Sequence, residues 1–236
     1  MIRLPATEYT RRRQTLMAQM SPNSIALLPA AAIQQRNGDV EQVYRQDSDF
    51  QYLSGFPEPE AVLVLIPGRS EGEYVLFCRK RDPLRELWDG KRAGQEGAVR
   101  DFGADQAFPI DDIDTLLPGL LENRTRLYYP LGVNTTFDRQ VTGWLEKVRQ
   151  RARQGVTPPS EFVALDQQLH AMRLIKSEAE IALMQAAAEV SARAHIRAMQ
   201  ASRAGVYEYQ LEAELEYEFR KSGSKMPAYG SIVASG

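Results

Sequence analysis

The acidic and histidine side chains with metal-ligand spacing are the first candidates for chemistry. His170 follows Asp166 by four residues, a spacing compatible with one helix face, but no third ligand has supporting spacing. Asp47 and Asp49 lie two residues apart, and paired carboxylates can bind a cation or share a proton. Turn and helix-cap chemistry explains this pair about as well. The spacing therefore assigns no metal ligand and no catalytic residue to the chain.

The single cysteine, Cys78, is the candidate thiol nucleophile. It follows the apolar residues 75–77, which is typical of a strand, and a thiol enzyme would need His170 or His195 beside it. His195 lies among alanines in a helical stretch, which favours a packing role. A structural thiol is therefore the favoured interpretation of Cys78.

Composition narrows the class of protein. The chain has 236 residues, 43% of them hydrophobic and 25% charged, with a net charge of −2, as is typical of a soluble globular protein without a field that attracts nucleic acid or anionic membrane. The longest apolar runs are too short to span a bilayer. A lone cysteine and the lack of an apolar leader favour a reducing, cytoplasmic setting. The arginine clusters at residues 11–13 and 149–153 are expected to be solvated helix faces.

The elements that must position these side chains alternate between helix and strand. Apolar patterning predicts helices at residues 6–20, 112–121 and 137–153, and strands at residues 24–32, 50–56, 60–67, 73–78 and 126–129. The glycine-bounded residues 68–72 predict a hairpin between two of these strands. The alternation predicts an α/β domain over roughly the first 160 residues.

A second region is expected beyond a double-proline linker at residues 155–160. Ser177 and Glu180 form the S-x-x-E pattern of a capping box, which begins a helix that runs to about Gln200. A second helix is predicted at residues 207–222, and residues 226–236 resemble the start of a strand. Two amphipathic helices need an apolar surface to cover, so this region is expected to be an incomplete domain.

Several blocks of the sequence resemble the aminopeptidase P family of proline-specific metallopeptidases, which have the pita-bread fold. They are residues 44–56 (YRQDSDFQYLSGF) with 58–65 (EPEAVLVL), 86–92 (ELWDGKR), 172–181 (MRLIKSEAEI), 205–223 and 227–236. The blocks occur in the family order along essentially the whole chain.

The resemblance implies a creatinase-like α/β domain with a mixed sheet at residues 1–173, then a truncated α+β pita-bread catalytic domain at 174–236. For an intact parent protein it implies a pair of Mn(II) ions whose bridging hydroxide attacks the scissile carbonyl, which cleaves the bond between a first residue and a following proline. The family's ligand motifs are missing from this sequence, so the chain is expected to bind no metal and to be inactive alone. Xaa-Pro peptides and a homo-oligomer, a dimer or a tetramer when intact, are the implied partners.

The resemblance also implies three substrate-binding positions. Trp88 matches an aromatic that approaches the active site, often from a neighbouring subunit, and such a ring can pack against proline. Arg153 matches a basic position that can pair with a peptide carboxylate. Tyr229 matches the wall of the pocket for the first substrate residue.

Two alternative hypotheses about the function remain open. A pita-bread relative can be a noncatalytic module for peptide binding or protein assembly. Prolidase and creatinase are sister enzymes, although residues 44–56 and 86–92 resemble aminopeptidase P more closely than either.

Overall fold

A computed structural model describes residues 4–234 of the chain. The described residues divide into two compact units, one of Ala6–Leu174 and one of residues 175–234 with residues 4 and 5.

The first unit is an α/β domain with seven α-helices and eight strands among its described residues. The helices are α1 (Ala6–Gln19), α2 (Ser48–Ser54), α3 (Pro83–Asp89), α4 (Gly94–Phe102), α5 (Ile113–Leu121), α6 (Thr135–Gln150) and α7 (Leu165–Leu174). The strands are β1 (Ser24–Pro29), β2 (Gln35–Asn37), β3 (Val40–Glu41), β4 (Val62–Leu65), β5 (Tyr74–Cys78), β6 (Gln106–Pro109), β7 (Arg126–Tyr129) and β8 (Glu161–Ala164). Short 3₁₀ turns occupy Ile110–Asp112 and Ala152–Gln154.

Six of the strands form one mixed sheet in the order β6-β5-β4-β1-β7-β8. The β1–β4 and β4–β5 pairs are antiparallel, whereas β5–β6, β1–β7 and β7–β8 are parallel. The predicted mixed α/β fold is confirmed. The predicted hairpin is confirmed as well, with Leu63 opposite Leu76 and Val64 opposite Val75 across β4 and β5.

The central strands are buried on both faces, which explains their continuous apolar sequences. Leu63 and Leu65 enter one hydrophobic cluster, which α1, α2, α4 and α7 cover. Val62 and Val64 enter a second cluster on the opposite face, which α5 and α6 cover. Because side chains alternate along a strand, each residue of β4 belongs to one layer of core or the other.

The strand predicted at residues 50–56 is wrong, because residues 50–54 belong to helix α2. Asp47 caps the helix by accepting hydrogen bonds from the backbone N–H groups of Asp49 (2.9 Å) and Phe50 (2.8 Å). Gly55 ends the helix with φ of 63°, a left-handed conformation that glycine adopts without steric cost. The aromatic residues matched a strand by composition, but the caps and the buried helical face of Phe50 and Leu53 decide for helix.

The double-proline residues 155–160 connect α6 to β8 within the first unit, so the predicted linker is wrong. Strand β8 pairs in parallel with β7, with Leu127 opposite Phe162, and adds the last strand to the sheet. The prolines bar helix and central strand at this position, as expected, but they lie in a crossover inside the domain. Strand pairing after the prolines was not visible from local sequence.

The second unit contains two α-helices in its described part, α8 (Glu178–Ala201) and α9 (Glu208–Lys221). The predicted capping box is present, since Ser177 Oγ accepts from Glu180 N (3.4 Å) and Glu180 accepts from Ser177 N (2.8 Å). Arg193 of α8 pairs with Glu218 of α9 (3.2 Å). Residues 226–234 form no strand, which corrects that prediction; no strand is present among the described residues of this unit to pair with them. Within residues 4–234, no helix is both long and apolar enough to cross a membrane.

Candidate functional site

Trp88 lies on the short helix α3, where its side chain is 89% exposed. Asp82 caps the helix by accepting from the N–H groups of Leu84 and Arg85 (both 3.1 Å), and Pro83 occupies the first turn. Leu84 and Leu87 are also largely exposed, at 77% and 79%. The helix therefore presents a cluster of large apolar side chains to its surroundings, which is the usual mark of a contact surface.

Ion pairs hold α3 at both ends. Glu86 accepts two hydrogen bonds from Arg81 (3.1 and 2.9 Å), and the hydrogen bond from Arg81 lowers the pKa of the Glu86 carboxyl. At the other end Arg92 pairs with Asp89 at 3.2 Å. The charged residues of the block 86–92 thus fix the helix, while its apolar residues face outward.

Glu58 ties together the two chain segments that flank α3. Its carboxylate accepts a hydrogen bond from Ala93 N (2.6 Å), at the start of α4, and pairs with Arg79 (3.3 Å), at the end of β5. The Glu58 side chain is only 13% exposed, which strengthens both contacts. Sequence reasoning assigned no role to Glu58, because its two partners lie 21 and 35 positions away.

Gln46 organises the first signature block in the same manner. Its side-chain N–H group donates to the carbonyls of Phe56 (3.1 Å) and Glu58 (2.9 Å). Its side-chain oxygen accepts from Ala31 N and from the Tyr44 hydroxyl, both at 2.9 Å. Residues 44–58 are therefore a hydrogen-bonded framework around α2.

Arg153 lies in the 3₁₀ turn Ala152–Gln154, directly after α6, and is exposed. Gly155 ends the turn with φ of 81°. The neighbouring Arg151 is held by Glu122 and by Gln154 (3.1 Å). The cluster at residues 149–153 is solvated, as expected.

Tyr229 belongs to the second unit, in a segment without helix or strand, and is 76% exposed. Trp88 and Arg153 belong to the first unit. In the described residues no hydrogen bond, ion pair or ring contact joins Trp88 to Arg153. The three predicted substrate positions share high exposure, and each remains a prediction as a substrate contact.

Asp47, Asp49 and His170 form structural contacts. Asp47 is the helix cap described above, and Asp49 pairs with Arg173 of α7 and lies 3.4 Å from Nε2 of His170. Through residues 4–234, no group of three or more His, Cys, Asp or Glu side chains is arranged to hold a metal ion. His195 is exposed, so the predicted packing role is wrong, whereas its ring does have a polar partner, since Nδ1 lies 2.8 Å from the Ser191 carbonyl.

Cys78 is fully buried within β5 and carries no disulfide. Burial, followed by the nearby Glu58 carboxylate, raises the pKa of the Cys78 thiol to about 12. The side-chain amide of Gln95 lies 3.6 Å from the sulfur. A thiol with these surroundings stays protonated at neutral pH, which is the opposite of an activated nucleophile.

Residues 68–72 (GRSEG) match the pattern G-x-S-x-G, which in some hydrolases places a nucleophilic serine at a sharp turn called the nucleophile elbow. The pattern requires a turn from strand into helix, whereas here it joins the antiparallel strands β4 and β5. Ser70 is an exposed residue of that hairpin turn. The motif is therefore a hairpin turn and lacks the strand-to-helix context of a serine nucleophile.

The arginines of α1 were predicted to be solvated, and this is wrong for two of them. Arg12 and Arg13 are 1% and 4% exposed. Arg13 donates to the Leu53 carbonyl (2.9 Å), and its guanidinium lies 4.2 Å from the centroid of the Tyr74 ring. Burial lowers the pKa of Arg13. Successive helical residues are rotated by about 100°, so three consecutive arginines cover about 200° of the helix surface, and the local sequence did not show which of them pack inward.

Comparison with known families gives two consecutive matches. The model for "Aminopeptidase P, N-terminal domain" matches residues 9–128, and that for "Metallopeptidase family M24" matches residues 182–236.

Individual relatives match both units of the chain. The Xaa-Pro aminopeptidase of Escherichia coli K12 is 44% identical over 230 residues, which are 97% of this chain and 52% of that protein. The Xaa-Pro aminopeptidase of Haemophilus influenzae is 39% identical over 236 residues, 100% of this chain and 52% of that protein. The structure of the Pseudomonas aeruginosa aminopeptidase PepP matches with a TM-score of 0.98 and 69% sequence identity. The match covers 99% of this chain and 53% of the PepP chain. The chain spans about half the length of the relatives it matches.

Proposed function

The chain belongs to the aminopeptidase P family, and we propose that the protein is an Xaa-Pro aminopeptidase, a metallopeptidase that hydrolyses the bond between an N-terminal residue and a following proline. One observation carries the proposal. Proteins named Xaa-Pro aminopeptidase align with 97% and 100% of this chain, across both of its units. We further propose a cytoplasmic location and assembly of the intact protein into a dimer or tetramer. We also propose that the boundary between the N-terminal and catalytic domains lies between residues 173 and 174.

Membership of metallopeptidase family M24 implies a divalent metal. Residues 4–234 do not fit such a centre, because no group of three or more potential ligands exists among them. We therefore derive no catalytic step through a metal on these side chains. The proposed Mn(II) pair would be held by side chains outside the described residues.

The role proposed for this part of the protein is substrate contact. Trp88 supports that role because a large exposed aromatic on a capped, ion-paired helix is positioned before the substrate arrives. Its ring would pack against the proline ring of the substrate. Arg153 would pair with a peptide carboxylate, and Tyr229 would line the pocket for the first residue.

The test compares two proteins, the 236-residue chain and the protein expressed from the complete gene. We expect the second to release the first residue from an Xaa-Pro-containing peptide, to lose this activity on chelation and to regain it with Mn(II). We expect the 236-residue chain to show no turnover with the same peptide and metal.

The outcomes of this test distinguish the proposed aminopeptidase from the alternative functions. Peptide binding without hydrolysis by the metal-loaded complete protein would favour a noncatalytic binding or assembly module. Hydrolysis restricted to Xaa-Pro dipeptides would favour a prolidase. Turnover by the 236-residue chain alone would contradict the placement of the metal centre.

A further inference from the structure

The four asparagines of the chain differ in how their side chains are held. Asn23 donates to the Asn123 carbonyl (2.7 Å) and accepts from Arg124 (3.2 Å). Asn123 accepts from Thr157 N at 3.1 Å. Asn134 caps α6 by accepting from the N–H groups of Thr136 (3.0 Å) and Phe137 (3.1 Å). Asn37 is the exception: within the described part of the chain, its side chain makes no hydrogen bond.

Asn37 also differs in the residue that follows it. The next residue is Gly38, whereas Asn23, Asn123 and Asn134 precede Ser24, Arg124 and Thr135. Gly38 has φ of 42°, and a Cβ at this position would meet no atom within 4 Å. No atom outside residues 37–39 therefore crowds the Gly38 Cα, and glycine has no side chain to shield its own backbone nitrogen.

The hairpin that carries this dipeptide is short and exposed. Asn37 ends β2, pairs with Val40 of β3, and is exposed together with the whole hairpin. The two strands have three and two residues and form a separate two-stranded sheet. An isolated two-stranded hairpin is marginally stable, so it opens more often than the six-stranded sheet.

From this contrast we propose that the Asn37–Gly38 bond is a site of spontaneous deamidation and isoaspartate formation. The Gly38 backbone nitrogen attacks Cγ of Asn37, a Gly38 N–Cγ bond forms, and the Cγ–Nδ2 bond breaks with release of ammonia. Water then opens the cyclic imide at either carbonyl, which gives aspartate or isoaspartate at position 37. The reaction consumes one water, releases one ammonia and involves no oxidation or reduction.

Each product adds a negative charge beside Asp39 and Glu41 of the same hairpin. Isoaspartate also inserts a methylene into the backbone at the last residue of β2, which disrupts the pairing of Asn37 with Val40. Since these strands share no hydrogen-bonded neighbour with the six-stranded sheet, the change is confined to the hairpin.

The experiment is prolonged incubation of the wild-type chain at mildly alkaline pH, followed by peptide mapping with mass spectrometry. All four asparagines are compared in the same sample, and isoaspartate is detected by enzymatic methylation. We expect deamidation at Asn37 to exceed that at each other asparagine by roughly tenfold, because side-chain hydrogen bonds must break before those amides can react.

The control is the variant Asn37→Gln, which cannot form the same five-membered imide readily and lies on an exposed strand that tolerates substitution. We expect it to lose the methylation signal and to keep the melting temperature of the wild type. An intact Asn37 in samples where Asn23, Asn123 or Asn134 has reacted would overturn the proposal, as would an unchanged methylation signal in Asn37→Gln.

Discussion

The guanidinium of Arg12 lies 4.0 Å from the centroid of the Tyr52 ring and donates a hydrogen bond to the Tyr52 carbonyl at 3.0 Å. Forty positions separate the two residues. The contact joins α1 to α2 beneath one face of the sheet, and Glu8 pairs with the same guanidinium at 3.2 Å. A buried arginine thus has hydrogen-bond, ion-pair and ring contacts at once, which is the arrangement that its planar group permits.

Removing this arginine is expected to destabilise the first unit. The change Arg12→Ala removes the buried ion pair with Glu8 and the hydrogen bond to the Tyr52 carbonyl. We expect a loss of about 3 kcal/mol in the free energy of unfolding. Urea denaturation followed by circular dichroism measures this loss. The matched control is Arg149→Ala on the exposed face of α6, for which we expect a change within about 0.5 kcal/mol. Equal effects of the two substitutions would contradict the structural role of Arg12.

Glu58 is expected to control the order of the segment that carries Trp88. The change Glu58→Gln weakens the pairing with Arg79 and the short hydrogen bond to Ala93, so residues 79–93 should exchange amide hydrogens faster than in the wild type. Hydrogen exchange with mass spectrometry measures the effect, with an expected loss of about 1–3 kcal/mol in stability. Glu60→Gln is the control, since that side chain is 58% exposed and lies 3.9 Å from Arg79. Unchanged exchange in residues 79–93 of Glu58→Gln would show that other contacts hold α3.

Cys78 is expected to make stability fall at alkaline pH. Its pKa rises from the ordinary value of 9.0 to about 12 on folding, so the unfolded chain loses the thiol proton first. The contribution of the protonated thiol is therefore fully present below pH 9.0 and is lost as the pH rises toward about 12. We expect Cys78→Ala to show a smaller alkaline loss of stability than the wild type.

The comparison with Cys78→Ala is necessary because burial also raises the pKa of Tyr44 to about 12 and raises that of Tyr74. Both tyrosines remain in the variant, and burial, the largest cause of both shifts, remains with them, so most of their contribution cancels in the difference. Thiol titration gives a second readout: the native chain should react slowly with a disulfide reagent, and the unfolded chain quickly. Rapid reaction of the native chain would contradict the buried position of the sulfur.

Trp88 is expected to affect catalysis without affecting stability. In the protein expressed from the complete gene, Trp88→Ala should lower kcat/KM for an Xaa-Pro peptide by roughly fivefold, the value of one aromatic contact. Trp88→Phe should restore most of the loss. Because the side chain is 89% exposed, the melting temperature of the isolated chain should not change. Arg85→Ala, on the same helix, is the control with unchanged kcat/KM, and an unaffected Trp88→Ala enzyme would remove Trp88 from the substrate contacts.

The sequence alone determined the elements whose signals are local. The hairpin of β4 and β5 follows from two apolar strands around a glycine-bounded turn, and the start of α8 follows from Ser177 and Glu180, three residues apart. The family blocks predicted the mixed α/β fold. Trp88, Arg153 and Tyr229 came from those blocks too, and their substrate roles are still predictions.

Only the tertiary structure decided where polar residues lie relative to the core. The burial of Arg12 depends on Tyr52, the fixed position of α3 depends on Glu58 and Ala93, and the place of residues 155–160 depends on the pairing of β8 with β7. Apolar periodicity and helix caps act over a few residues, so they are visible in the sequence. A buried charge is stable only when distant groups supply its partners, and chain folding alone brings those groups together.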